Sequence, residues 1–545
     1  MNPLLTLRRS LCAAIVATGF LAVPGIMATG PARSGTLVKD ARMDIMANGA
    51  SIGFVKIPQG TKVLVLSTND AGELLIKRHQ TDAPFAVPQD SVSMETPAET
   101  LSPTPVSPEA ERPQSSATPS STPTPLAAPS GTPAVSGLKD PTAEAVNKAL
   151  GIPLFGKGSL WEEDDAMVAN RLRWPQESKT SHEAGYRRYP YTFNSETRII
   201  GARSLCLFLQ GVDDKVARVS ILFANKGDVA FYMSPQEVKQ QAAKKDQPLN
   251  VTDNMIKGCL DAMRKDKATL EAGLKDLFGD ARPARVGRFA ATTEVGQRWD
   301  WRGHTFMLVA PQNEYVALRI IPTSVFEDAD AAKKSFAAAK DTLSKRVEHR
   351  SNGDVVITDI PMVDQGRKGY CVPATFERVL RYYGLSEDMN VLAMAGQTGA
   401  GGGTSVSGIQ AATYAMIRDA GGTITAKNFS GNIQEIKSAI DAGKPILFTH
   451  YSTEEFNKRV DGRMSHRVAV TDWERWREEF LPSLKKTTPL KPDPLWGHIC
   501  LIIGYNENTH EIAISDSWGP QATERWMLED EARQIQAQGA LSVIE

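Results

Sequence analysis

Pro361-Met362-Val363-Asp364-Gln365-Gly366-Arg367-Lys368-Gly369-Tyr370-Cys371-Val372-Pro373-Ala374-Thr375 is the stretch that decides how the last third of this chain folds. After Cys371 the apolar residues Val372, Phe376, Val379, Leu380 and Tyr383 fall at helical spacing, so a helix begins there. Pro373 is tolerated in a first helical turn, and Gly384 stands where the helix should stop. Cys371 is thereby placed at a helix N-terminus. The partial positive charge and unpaired N–H groups of that position favour a thiolate, which a purely structural cysteine does not need.

A second informative stretch lies far downstream. Trp496-Gly497-His498-Ile499-Cys500-Leu501-Ile502-Ile503-Gly504-Tyr505 is followed by a polar turn and then by Ile512-Ala513-Ile514-Ser515-Asp516-Ser517-Trp518-Gly519. The β-branched runs on either side of Asn506-Glu507-Asn508 read as a hairpin. His498 opens one strand and Asp516 closes the next, so the two can meet. A thiolate nucleophile needs an imidazole to take its proton and return it to a leaving group, and the imidazole needs an acceptor to fix its ring. Cys371, His498 and Asp516 supply those three groups, and the 127-residue separation of Cys371 and His498 is near the about 130 to 150 residues typical of one class of cysteine hydrolase.

These residues resemble the papain-like cysteine peptidases, and within them the peptidase C39-like branch, over roughly residues 355 to 545. Under that resemblance Gln365, six positions before Cys371, is the side-chain amide that joins the Cys371 N–H in an oxyanion hole. Gly366 and Gly369 fit the same pattern, as does the third catalytic residue preceding Ser517-Trp518-Gly519. Asp516 stands where papain has asparagine, and a carboxylate orients a histidine equally well. Lys368 stands where papain proper has a disulfide cysteine, so this domain should lack that bridge. The implied activity is amide hydrolysis of protein or peptide substrates, with no metal or organic cofactor. Gly401, Gly402, Gly403, Thr404 and Trp518 are expected on the substrate-binding side: the glycines let a substrate backbone approach, and Thr404 or Ser405 caps the following helix. The Gly399–Ser405 run lacks the Gly-Lys-Ser/Thr ending of a nucleotide loop. An inactive papain-like surface binding protein is the alternative, as is an acyl transferase or cell-wall amide hydrolase, although the Asp-Cys-Ser-Gly signature of cell-wall peptidases is absent.

The rest of the 545 residues exceeds what one core holds and reads as further modules. The fold expected is multidomain: a small SH3-like β-barrel, a middle α+β domain and a C-terminal α+β papain-like domain. Residues 1–32, with Arg8, Arg9 and an apolar run from Leu11 to Met27, have the layout of a signal peptide. That predicts a secreted or periplasmic protein, with a membrane anchor as the alternative. Short strands at Thr36–Val38, Ala50–Lys56, Lys62–Ser67 and Glu73–Lys77 suit a small β-barrel over residues 33–93, and Ile57-Pro58-Gln59-Gly60-Thr61-Lys62-Val63 followed by Val87-Pro88 resembles bacterial SH3-like domains, which implies a binding module with the cell wall as a candidate partner. Ten prolines and no aromatic residue between Met94 and Ser136 make residues 94–138 a linker.

Residues 139–348 read as an α+β domain without a catalytic pattern. Strands are expected at Ser204–Leu209, Val216–Ala224, Gln297–Trp301, Thr305–Val309 and Tyr315–Ile321, and helices over Asp253–Leu277 and Ala329–Arg346. His182 and His304 are read as surface or core residues. Cys206 and Cys259 could form a disulfide or stay as two buried thiols. Within 349–545, His450 ends a strand, Cys500 shares the face of His498, and residues 451–494 form a polar insertion with a helix near Trp473–Leu481, read as a lid or a solvated loop. Without CxxC or HExxH there is no sequence support for zinc. Lys plus Arg number 62 against 63 Asp plus Glu, so no global field draws the chain to nucleic acid or, after signal cleavage, to a membrane.

Overall fold

In a computed structural model the described residues are 33–39, 41–47, 50–57, 62–68, 73–77, 85–94 and 139–545, the last without 194–195, 244–248, 288, 327–330, 428 and 485–487. The expected signal segment and most of the expected linker lie outside them. The chain divides into a smaller unit within Gly19–Ser136 and a larger one that contains Gly137–Glu545.

In the smaller unit an antiparallel sheet runs in the order Phe85–Val87, Leu74–Lys77, Lys62–Thr68, Arg33–Leu37, Val92–Met94. Ala41–Ala47 and Ala50–Ile57 form a separate hairpin. Period-two alternation puts Val63 and Val65, then Leu74 and Ile76, into one small core with Leu37, Val87 and Val92. An antiparallel order of this kind is shared by many small β-domains and does not single out an SH3-like barrel.

The larger unit is built on two sheets. The first has eight antiparallel strands in the order Arg282–Val286, Glu294–Trp301, His304–Val309, Tyr315–Pro322, Lys215–Asn225, Cys206–Val212, Glu183–Arg188, Gln176–Lys179. Asp213 and Asp214 both have positive φ and turn its central hairpin. One face packs on the helix Asp253–Phe278, whose Met255, Cys259, Met263, Leu270, Leu274 and Phe278 form its buried stripe. The alternate residues Cys206, Leu222, Met307 and Ala317 make a second core with Tyr189, against which Met394 packs. Cys206 and Cys259 are therefore separate buried thiols in different cores. His304 is buried and accepts a hydrogen bond from the Leu160 N–H, whereas His182 is exposed; neither touches the site described below.

The second sheet runs Val347–His349, Val355–Ile357, Gly497–Asn506, Ile446–Tyr451, Gln536–Ile544, Ile424–Lys427, with Glu511–Ser515 and then Arg525–Leu528 branching from Gly497–Asn506. The predicted helix spans Cys371–Tyr382 and packs on that central strand. All its residues are buried, the polar ones included, because it lies between the two sheets. Arg381 pairs with Glu377 and with Glu183 of the first sheet. Arg378 donates to the carbonyls of Pro361 and Ser515.

The 451–494 insertion is more ordered than a solvated loop. Its helix Glu454–Arg467 buries Phe456, Asn457, Val460, Arg463 and Arg467, and Arg463 reaches the Trp526 carbonyl of the strand Arg525–Leu528 and Glu531 of the helix Glu529–Ile535. The sequence hides this helix because three of its five buried residues, Asn457, Arg463 and Arg467, are polar or charged. The helix expected near Trp473 appears as three short turns, Trp473–Arg475, Trp476–Phe480 and Leu481–Leu484.

Candidate active site

Cys371 is fully buried at the first position of its helix. Thr375 lies one turn further on the same side of that helix. Its hydroxyl donates to the Ile499 carbonyl at 3.4 Å and meets the Ser517 hydroxyl at 3.1 Å. One side chain thus ties the Cys371 helix to the residue after His498 and to the residue after Asp516.

His498 sits second in the strand Gly497–Asn506, and Asp516 follows the end of Glu511–Ser515, its N–H bonded to the Ala522 carbonyl. His498 Nε2 and Asp516 Oδ1 are 2.8 Å apart with both side chains sealed from solvent. Assigning the proton to Nε2, where the carboxylate accepts it, makes Nδ1 the basic ring nitrogen. The Trp518 ring lies tilted over the imidazole, with centroids 4.9 Å apart.

Arg525 completes this arrangement and was not found from the sequence. Its Nη1 is 2.6 Å from Asp516 Oδ2, and its Nη2 is 2.9 Å from both Asn457 Oδ1 and Asp461 Oδ1 of the insertion helix. Only the pairing of Ile514 with Arg525 across the strands Glu511–Ser515 and Arg525–Leu528 signals it, and that register is invisible without the fold. Burial alone would raise the Asp516 pKa; the Arg525 charge, and then the His498 hydrogen bond, outweigh it and hold the carboxyl well below the usual carboxylate range.

His450 faces His498 across the sheet, stacked on Phe448 and 3.8 Å from Cys500 through Nδ1. Burial, and next the neighbouring His498, push its pKa down to about 3, so it is a neutral ring. Burial, followed by Asp516, pushes the Cys500 thiol far up, which keeps it protonated. Donor atoms of His450, Cys500 and Asp516 lie within 4.8 Å of one another. Both Asp516 oxygens, however, are already engaged by His498 and by the Arg525 cation, which repels a metal.

The glycine loop lies against the chain that leads into Cys371. Gly369 N donates to the Gly401 carbonyl at 3.1 Å, and Gly403 N to the Gly369 carbonyl at 3.0 Å. A Cβ on Gly402, at φ +126°, would stand 2.3 Å from Gly369 Cα, so only glycine permits this approach. Of the two cap candidates, Ser405 is the one that accepts from Gly408 N. Thr404 turns inward to Thr398 at 2.6 Å and is buried. Gln365 is buried too: its N–H donates to the Ser517 carbonyl and its side-chain amide to the Lys368 carbonyl, both at 2.9 Å. Gln365, the glycine loop and Trp518 therefore gather around the chain that carries Cys371, His498 and Asp516.

Residues 357–538 match the model of the Peptidase_C39 like family. No curated protein matches the chain. Residues 357–538 are thus similar to the Peptidase_C39 like family, whose name points to cysteine peptidases and to protein or peptide substrates.

Proposed function

We propose that this domain hydrolyses peptide bonds, with Cys371 as nucleophile, His498 as general base and acid, Asp516 as the group that orients His498, and Gln365 with the Cys371 N–H as oxyanion donors. The observation that carries the reading is the buried 2.8 Å bond between His498 Nε2 and Asp516 Oδ1, on strands that Thr375 ties to the Cys371 helix. His498 Nδ1 takes the thiol proton, and the Cys371 sulfur adds to the substrate carbonyl carbon. The Gln365 amide and the Cys371 N–H receive the developing oxyanion, an interaction worth a hundredfold or more per donor, roughly. The imidazolium returns its proton to the leaving amine as the C–N bond breaks, leaving a thioester. Water, deprotonated by the same ring, then releases the acid and restores the thiol. Asp516 stays ionised throughout and stabilises the imidazolium. Residues 1–32 as an export signal and residues 33–93 as an SH3-like attachment module complete the reading; the protein is then secreted or periplasmic.

The experiment is alkylation of the full chain with iodoacetamide across pH 4 to 9, resolved by peptide mass, for wild type and His498→Ala. Cys371 should react faster than Cys500 across this range, and His498→Ala should remove that advantage. Cys371 reacting no faster than Cys500 would overturn the proposal.

A further inference from the structure

Residues 361–370 belong to no helix or strand, yet most are buried. Their own domain holds them on one side through Gln365 N to the Ser517 carbonyl and Gly369 N to Gly401. On the other side they are held by the first sheet, which precedes the family match and is no part of it. Met362 N donates to Ser178 Oγ at 2.9 Å and Asp364 N to Glu177 Oε1 at 2.6 Å. The Tyr189 hydroxyl donates to the Asp364 carbonyl at 2.6 Å. Both backbone groups of the residue before Gln365 are thus committed to the first sheet.

The grip continues toward the nucleophile. Lys368 Nζ lies 3.1 Å from Asp228 Oδ2, with both side chains almost fully buried. The Tyr370 hydroxyl donates to Asn225 Oδ1 at 3.0 Å. A Cβ at Gly227 would lie 2.4 Å from the Tyr370 ring, so the turn is shaped around that side chain. The Lys226 carbonyl accepts from Gly401 N at 2.9 Å and fixes the glycine loop as well. Glu177 is itself anchored by Arg187 at 2.7 Å, so the clamp does not rest on mobile surface side chains.

We propose that the first sheet, with the turns that follow Glu183–Arg188 and Lys215–Asn225, is a clamp on the oxyanion side of the site, and that Glu177, Tyr189 and Asp228 are positioning residues that set Gln365 and the Cys371 N–H. The proposal rests on the catalytic reading above. A displaced donor costs more than its own hydrogen bond: about 1 Å of misplacement can cost about a hundredfold. The loop is irregular, so its position depends on these outside partners.

Two probes separate the roles, both applied to the full chain. Iodoacetamide alkylates Cys371 by displacing iodide from carbon and develops no oxyanion. With p-nitrophenyl acetate, the sulfur adds to the carbonyl through an oxyanion, then p-nitrophenolate leaves and Cys371 carries the acetyl group. Glu177→Gln, Asp228→Asn and Tyr189→Phe should each slow acetylation about ten- to a hundredfold while alkylation stays within about twofold of wild type. Gln365→Ala should give the same split. Tyr189→Phe removes a single hydroxyl and keeps the test usable where the carboxylate variants fail to fold. Equal loss of both rates, or no loss of either beside a Gln365→Ala split, would overturn the clamp alone. Wild-type Cys371 alkylating no faster than Cys500 would overturn the catalytic reading first, and the clamp with it.

Discussion

Arg525 holds the oxygen of Asp516 that His498 does not use, at 2.6 Å, so a single carboxylate is divided between an imidazole and a fixed cation. Arg525→Met should leave that carboxylate buried with one partner and let its pKa rise. Unfolding in urea should show a loss of about 3 to 5 kcal/mol, the usual cost of stripping a buried charge of its partner. The acid limb of Cys371 alkylation should also move to higher pH, because a protonated Asp516 no longer stabilises the imidazolium. An unchanged acid limb would mean that Arg525 serves the fold alone.

Acid should destabilise the larger unit by two routes of different onset. His450 stays neutral in the fold down to about pH 3, whereas the unfolded chain takes up its proton below about 6.5. Stability therefore falls as pH drops from 6.5 toward 3, by at most about 1.4 kcal/mol per pH unit. The Asp516 contribution is fully present above its unfolded value of 3.8 and is lost only as pH falls through its depressed folded value. Urea midpoints at pH 7.5, 5.5 and 4.5 should decline for wild type and decline less for His450→Phe, which keeps a ring against Phe448.

Thr375→Val should weaken the tie between the Cys371 helix and the two strands. It removes the bonds to Ile499 and Ser517 and leaves a buried serine hydroxyl short of a partner, at a cost of about 1 to 3 kcal/mol. Alkylation of Cys371 near pH 6 should slow, with Cys500 unaffected in the same digest.

Gly402→Ala should push the glycine loop off Gly369, because the methyl would stand where the Gly369 backbone lies. The melting temperature should fall, and Cys371 should be alkylated faster than in wild type. Slower alkylation would show that the loop supports Cys371 more than it covers it.

The helix at Cys371 was legible because its signal is local: apolar period, Pro in the first turn, Gly at the end. The hairpin carrying His498 and Asp516 was legible for the same reason. Long sequence separations hid the rest. Arg525 is nine residues from Asp516, yet its significance depends on a strand register and on Asn457 and Asp461 across the fold. Glu177, Tyr189 and Asp228 precede Cys371 by 140 to 200 residues, roughly, in a segment with no chemical motif, and only tertiary packing brings them to the Asp364–Tyr370 chain. Thr404 and Ser405 stand level as caps in the sequence because Thr and Ser are equivalent in a capping pattern; the inward bond of Thr404 to Thr398 leaves the cap to Ser405.

Cys371 has no surface open to water, with the glycine loop fixed against the chain that leads into it. Small oxidants attack a thiolate in proportion to its exposure, and over-oxidised sulfur is not recovered. Under the proposed function, the burial of Cys371 bears on the lifetime of the protein as well as on its activity: a nucleophile shut away from water is spared the peroxide that would silence an open one.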